Sequence, residues 1–220
     1  MEQIFLGIDI AHRRPCPYMA LANDASEIDS GWIDAQTIEG RCQELVTKVN
    51  KFTKQGAEVV VGIDAPRLPL HQLRQWKWHR GTWQHTADQG LRGRHCELVV
   101  AAYHLANPQW TPLLDQAQDW MKLGFAIFRC LDGVGEAHEV FPTASYALLC
   151  GTDQPQVRIC LRNFKQGPKD MLDACVAALT VLEFKQGRGM EVGGGDGYGT
   201  IVLPRPVPAG GPSAVLVFPV

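Results

Sequence analysis

Two short stretches, IFLGIDIA at Ile4–Ala11 and VVVGIDAP at Val59–Pro66, decide the fold of this chain. Each is an apolar run with the length of a buried strand, and each carries the same Gly-Ile-Asp triplet near its end. Burying an unpaired carboxylate is costly, so an aspartate in such a place needs a partner or a function. The alternative is a purely structural role, in which the carboxylate bonds to backbone amides or caps a following helix. The repetition favours a shared function for Asp9 and Asp64.

The composition indicates a globular protein with a substantial core. The chain has 220 residues, 45% of them hydrophobic, and a formal net charge of −2. Affinity for nucleic acid must therefore come from a local patch of cations. The seven cysteines have no C-x-x-C spacing, which favours reduced thiols and a cytoplasmic protein over disulfides or a zinc site. No apolar run has the length of a membrane span, so we expect no membrane partner.

The order of the predicted elements indicates a mixed sheet. We predict strands at Gln3–Ala11, Tyr18–Asn23, Ile28–Ile33, Glu58–Asp64, Phe125–Leu131, Glu139–Phe141 and Thr200–Leu203, and helices at Thr37–Gln55, Arg94–Leu105, Thr111–Leu123, Ser145–Cys150 and Pro168–Lys185. This order predicts an α/β fold with a mixed five-stranded sheet, in which strands 1–3 are antiparallel and strands 4–5 parallel, and with helices on both faces. One domain spans 1–220, with an irregular insertion at about 66–95 and an extended tail at 204–220.

In this arrangement the first and fourth strands are neighbours, so the two aspartates lie side by side. Alternation along a strand places Gly7 on the same face as Asp9, and Gly62 on the same face as Asp64. We interpret the two glycines as leaving room beside each carboxylate for an ion and a phosphate. The alternative is that they admit a closely packed helix.

Further acids extend the candidate site. The helix predicted at Pro168–Lys185 carries Asp170 and Asp173 on one face near its start. For Asp170 the alternative role is a favourable interaction with the helix dipole, and Glu139 is equally well explained as an edge-strand residue. Four or five acids at one sheet edge would repel one another without a cation between them. Because the candidate ligands are oxygens, we predict Mg²⁺ or Mn²⁺ as the cofactor.

A set of short motifs occurs in a fixed order along the chain: GIDIA, VGIDAP, GRHCE (Gly93–Glu97), HEVFP, KDMLDACVAALTV and GYGTIVLP. Together they resemble the domain-of-unknown-function 429 family, which is regarded as a group of predicted nucleases with an RNase H-like fold. The resemblance spans roughly Ile4 to Pro204. The chain is more distantly similar to the Holliday-junction resolvase branch of the RNase H-like superfamily, in which the fourth strand carries Glu in place of Asp64. The resemblance implies metal-binding roles for Asp9, Asp64 and Asp173, with Asp170 and Glu139 as catalytic helpers.

The insertion is rich in cations and aromatic residues. Between Arg67 and His95 it has six Lys or Arg residues against the single acid Asp88, and three tryptophans are interleaved with them. Bases stack on aromatic faces and cations neutralise phosphates, so this segment is a candidate strand-binding arm; a helical hairpin with core tryptophans is the alternative. The candidate substrate-binding residues are Trp78, Arg80, Arg94, Lys165 and Lys169.

The sequence therefore predicts a metal-dependent nuclease that hydrolyses phosphodiester bonds. A non-catalytic nucleic-acid-binding or regulatory module on the same fold is the main alternative. An actin-like or sugar-kinase-type phosphotransferase fits less well, because no Gly/Thr-rich phosphate loop follows Asp9. The choice between DNA, RNA and a small nucleotide stays open, as does the oligomeric state, for which a homodimer is one option.

Overall fold

A computed structural model describes residues 2–86, 90–150 and 168–219. The strands are β1 (Gln3–Asp9), β2 (Cys16–Leu21), β3 (Glu27–Ile33), β4 (Glu58–Asp64), β5 (Trp76–His79), β6 (Thr82–His85), β7 (Glu136–Glu139), β8 (Met190–Gly193) and β9 (Thr200–Leu203). The helices are α1 (Ile38–Lys54), α2 (His95–Ala102), α3 (Asp119–Leu131), α4 (Pro142–Leu149) and α5 (Pro168–Lys185), with short 3-10 helices at Leu114–Gln116 and Ser213–Leu216.

The main sheet has five strands in the order β3-β2-β1-β4-β7. The first three strands form an antiparallel meander, and β4 and β7 run parallel to β1. The predicted mixed α/β fold with a five-stranded mixed sheet is confirmed. Strands β1 and β4 pair from Gln3 and Glu58 to Asp9 and Asp64, so the two aspartates are direct neighbours at one end of the sheet.

Helices cover both faces of this sheet. On one face, α1 and α3 bury Leu45, Val49 and Ile127 in a core with the apolar side chains of the central strands. On the other face, α5 packs against β1, β2 and β4. Helix α5 buries mostly alanine and other small residues there, which allows its backbone to approach the sheet closely.

The prediction of a strand at Phe125–Leu131 is wrong, because this segment belongs to α3. Leu123, Ile127 and Leu131 recur every four residues and are fully buried, which is the spacing of a helix face. A short apolar run is compatible with both structures, and the run FAIF suggested the wrong one. The predicted helix at Thr111–Leu123 is wrong before Asp119, where only a 3-10 turn forms, and its last residues are the start of α3. The fifth strand of the sheet is β7.

A smaller apolar cluster lies beside the main sheet. It joins α2, the β8–β9 hairpin, the 3-10 helix Ser213–Leu216 and the β5–β6 hairpin. The predicted irregular insertion thus contains a β-hairpin, closed by Arg80 and Gly81 with φ of 49° and 79°. Two successive residues with positive φ are typical of a type I′ turn. The tail is not simply extended, because Val215 in its 3-10 helix is fully buried.

Among the helices of the described residues, none combines the length and the apolar character needed to span a bilayer.

Candidate metal centre

Helix α5 lies directly on the two glycines that precede the paired aspartates. A Cβ atom on Gly7 would be 2.0 Å from the carbonyl oxygen of Ala174, and one on Gly62 would be 2.5 Å from that of Ala177. The glycines therefore admit a close helix, and the interpretation that they leave room for an ion and a phosphate is wrong. Their effect on the site is indirect: they let the first turns of α5 reach the sheet edge where Asp9 and Asp64 lie.

Three carboxylates converge at this edge. Oxygens of Asp9, Asp170 and Asp173 all lie within 4.8 Å of one another. Asp9 ends β1, while Asp170 and Asp173 come from the first turns of α5. Asp9 and Asp173 are each 8% exposed, so the group is largely shielded from bulk water.

The donor set fits a hard divalent cation. A cation with Mg²⁺-like bond lengths of about 2.1 Å needs its oxygen ligands within about 4.2 Å of one another, so small side-chain rotations at most would complete the geometry. The ligands are all carboxylate oxygens, which Mg²⁺ and Mn²⁺ favour over softer donors. Among the described residues, the close group contains Asp170 where the resemblance implied Asp64.

Two cations partly neutralise the three carboxylates. The Arg14 guanidinium bonds to Asp170 and lies 3.7 Å from Asp9, and the Lys169 ammonium is 2.7 Å from Asp173. The side chains of Arg14 and Lys169 are 53% and 80% exposed. Because both cationic side chains are long and exposed, they can turn into solvent when a metal ion takes their place beside the carboxylates.

The electrostatics of the group are unfavourable without a cation. Burial, together with the charges of Asp173 and Asp170, raises the pKa of Asp9 to about 6, although Arg14 and Lys169 oppose the shift. Burial also raises the pKa of Asp64 well above its usual value, with further contributions from Asp9 and Asp173. A divalent cation would relieve this strain by favouring the ionised carboxylates.

Helix α4 contributes a tyrosine to the group. The Tyr146 phenol lies beside the Asp173 carboxylate, and burial and this carboxylate raise the pKa of the phenol. A hydrogen bond to a metal ligand fixes its orientation, so Tyr146 can hold Asp173 toward the other two acids. The sequence offered little signal for Tyr146, because nothing in its local pattern distinguishes it from a surface residue of an amphipathic helix.

Glu139 has a different environment from the other acids. Its carboxylate accepts hydrogen bonds of 2.7 and 2.5 Å from the Arg94 guanidinium and one of 2.8 Å from the backbone N–H of Arg67. Arg94 also binds Glu97 at 2.8 Å and is only 1% exposed. This buried network favours a structural role for Glu139, as an anchor between β7 and α2, over a role as a ligand. It equally favours a structural role for Arg94 over the predicted contact with substrate.

The GRHCE motif is explained by the same network. Glu97 accepts hydrogen bonds from the backbone N–H groups of Arg94 and Thr111 at 3.1 and 3.0 Å, which caps the start of α2 and ties it to the following loop. The ring Nδ1 of His95 accepts from the Gly195 backbone N–H at 3.2 Å, and the Asp196 carboxylate accepts from the backbone N–H of His95 at 2.6 Å. The motif therefore connects α2 to the Gly-rich turn before β9.

The other predicted substrate-binding residues lie in different places. Lys165 lies outside the described residues. Lys169 reaches the acidic group, as stated above. Trp78 and Arg80 belong to the β5–β6 hairpin, where Trp78 packs edge-to-face on Trp83 with ring centroids 5.3 Å apart. Arg80 is exposed at the turn of the hairpin.

A cavity of about 1040 Å³ opens beside the acidic group. Its wall includes Asp9, Asp64 and Glu139 together with Arg13 and Arg14. Five carboxylates and three guanidiniums line it in all, so its lining is net negative. A polyanion would enter this cavity only after a cation had reversed that charge.

Three comparisons with known proteins were negative: no family model matches the chain, and neither a curated protein nor a solved structure matches it.

Proposed function

We propose that this protein is a metal-dependent nuclease with an RNase H-like fold, which hydrolyses phosphodiester bonds with Mg²⁺ or Mn²⁺ held by Asp9, Asp170 and Asp173. The observation that carries the proposal is the convergence of these three oxygens within 4.8 Å, beside a large open cavity. The resemblance to the domain-of-unknown-function 429 family is in keeping with it, because that resemblance implies acids at the ends of the same strands and on the same helix, although with Asp64 in place of Asp170 as a ligand.

The chain's own residues have distinct parts in this reaction. A divalent cation, when bound, lowers the pKa of water and stabilises charge on a phosphoryl oxygen. Asp64 lines the cavity beside Asp9, where it can accept a hydrogen bond from the water that attacks phosphorus. Arg14 and Lys169, released from the carboxylates, are close enough to the acids to bind the phosphate that is cleaved.

Cleavage assays on matched variants test the proposal. Single-stranded, duplex, hybrid and junction substrates are incubated with Mg²⁺ or Mn²⁺ and with wild type, Asp170→Asn or Asp132→Asn. Asp132 is an exposed acid at the end of α3 far from the cavity, so its variant is the control. We expect wild type and the control to cleave, and Asp170→Asn to lose about 100-fold or more. Undiminished cleavage by Asp170→Asn would show that the metal site is assigned wrongly.

Direct metal binding separates this proposal from a non-catalytic module. Calorimetric titration with Mn²⁺ should give a dissociation constant in the micromolar to millimolar range for wild type and for Asp132→Asn, and no binding for Asp170→Asn. A protein that binds nucleic acid but shows no binding of Mn²⁺ would be the binding module instead.

A further inference from the structure

A second concave surface lies at the opposite end of α2 from the acidic cavity. This groove has a volume of about 710 Å³. Its walls carry three cations and three aromatic side chains, and none of the described residues that line it is acidic: Arg74, Lys77, Arg80, Trp78, Tyr103 and Trp110. In a protein whose net charge is −2, this is a local concentration of positive charge next to rings.

Two of the three groove cations, Lys77 and Arg80, are available for an anionic ligand. Neither Lys77 nor Arg80 forms an ion pair within residues 2–86, 90–150 and 168–219, whereas Arg14, Lys169 and Arg188 all do. Arg74 donates to the carbonyl oxygens of Arg92 and Trp76 and lies over the Trp110 ring, 5.7 Å from its centroid, so it adds positive charge to the groove wall. Guanidinium and ammonium groups arranged in this way neutralise phosphates without desolvating an opposing carboxylate.

The aromatic rings are held in place from behind and remain partly exposed. A Cβ on Gly93 would lie 2.4 Å from the Trp110 ring, and one on Gly211 would lie 2.2 Å from the Tyr103 ring, so each ring contacts the backbone closely. Trp78 is braced by Trp83, whose indole N–H donates to the Val217 carbonyl oxygen at 2.9 Å. Rings fixed in this way offer stacking surfaces with little loss of side-chain entropy on binding.

The groove and the acidic cavity adjoin each other. Arg94 and Glu97, at the start of α2, line the cavity, while Ala101 and Ala102, at its end, line the groove. Helix α2 has eight residues, so it spans about 12 Å. Along the loop that follows α2, Asn107, Pro108 and Gln109 line the cavity and the next residue, Trp110, lines the groove.

We propose that this groove binds single-stranded nucleic acid and leads it into the acidic cavity. The inference deepens the proposed function, on which it rests, by assigning a strand class and a binding track. A single strand is the fitting occupant because its base faces are free to stack on the partly exposed rings of Trp78 and Tyr103, whereas a duplex hides those faces. The cations then contact the backbone phosphates of the same strand.

Binding in the absence of metal tests the groove separately from catalysis. Fluorescence anisotropy in EDTA measures the affinity for fluorescein-labelled oligothymidylate of about 16 nucleotides and for its duplex with oligoadenylate. The variant Lys77→Gln/Arg80→Asn removes two groove cations, and asparagine tolerates the positive φ at this turn. The control, Lys51→Gln/Lys54→Gln, removes two exposed cations from the end of α1.

We expect wild type to bind the single strand more tightly than the duplex. The groove variant should bind about tenfold more weakly than wild type, with the slope of log K against log salt reduced by about 1.4, and the control should match wild type. Equal losses in the groove variant and the control, no binding by wild type, or equal affinity for the duplex would each overturn the inference.

Failure of the groove assignment can be distinguished from failure of the nuclease proposal. If the groove variant loses binding but wild type cleaves nothing with Mg²⁺ or Mn²⁺, the groove assignment stands and the nuclease proposal fails. If wild type cleaves single strands and the groove variant cleaves and binds them equally well, the nuclease proposal stands and the groove assignment fails.

Discussion

Gly7 and Ala174 are so close that no side chain fits between them: a Cβ on Gly7 would lie 2.0 Å from the Ala174 carbonyl oxygen. The contact is backbone against backbone, so neither partner can move without moving β1 or α5. Asp9 lies two residues after Gly7, and Asp173 immediately precedes Ala174. The same close approach that packs the helix on the sheet therefore brings two of the three carboxylates of the metal group together.

The first prediction concerns this contact. Gly7→Ala should lower the free energy of unfolding by about 3 kcal/mol or more, because the added methyl overlaps backbone atoms that cannot rotate away. Urea denaturation measures the change. Gly135→Ala is the control, since its methyl would meet only ordinary contacts of 3.4 Å, and its effect should be small. A Gly7→Ala protein as stable as wild type would contradict the observed packing of α5.

The convergence of the acids could be predicted from the sequence, although the reason for it could not. Strand alternation and strand order place Asp9 beside Asp64, and helical spacing places Asp170 near Asp173. Whether Gly7 makes room for a ligand or for a closely packed helix depends on what packs over it, and the sequence around Gly7 does not predict that. The sequence around Arg94 likewise does not reveal that its guanidinium is also bound by Glu139, which β7 brings to it.

A second prediction follows from the unfavourable ionisation of Asp9. At pH 8 in EDTA, Asp9→Asn should raise the free energy of unfolding by roughly 1–3 kcal/mol, because it removes a buried charge that is repelled by Asp170 and Asp173. Thermal denaturation should show that the same variant no longer gains stability from added Mn²⁺. A clear loss of stability in EDTA would instead mean that Asp9 is a structural carboxylate, held by Arg14.

The third prediction is the pH dependence of the metal-free protein. The pKa of Asp9 is about 6 in the folded state and near 3.8 when unfolded, so between these values the folded state binds more protons. Stability must therefore fall as pH rises from about 4 to about 7, by about 3 kcal/mol for this group alone. Denaturation of wild type and Asp9→Asn at a series of pH values measures this, and the variant should show a flatter profile. Parallel profiles would contradict the raised pKa of Asp9.

A fourth prediction separates structural from substrate-binding arginines. Arg94→Met should lower the free energy of unfolding by about 3–5 kcal/mol, because Glu97 and Glu139 would be left buried without their shared partner. Arg80→Asn should change stability by less than about 0.5 kcal/mol, since Arg80 is exposed and unpaired within the described residues. If the stability effects were reversed, Arg94 would not have the buried structural role that its contacts indicate.

The last prediction concerns Tyr146, whose phenol lies beside the Asp173 carboxylate. Tyr146→Phe keeps the ring, which is 38% exposed, so the free energy of unfolding should barely change. Affinity for Mn²⁺, measured by calorimetry, should fall by about tenfold, because Asp173 would lose the neighbouring hydroxyl that can donate to it and orient it. Tyr103→Phe removes a hydroxyl that lines the groove instead, and its affinity for Mn²⁺ should equal that of wild type. Since the two variants delete the same group, a tenfold loss in Tyr146→Phe alone would assign the effect to the contact with Asp173, whereas unchanged Mn²⁺ affinity in both would show that the Tyr146 hydroxyl does not position a ligand.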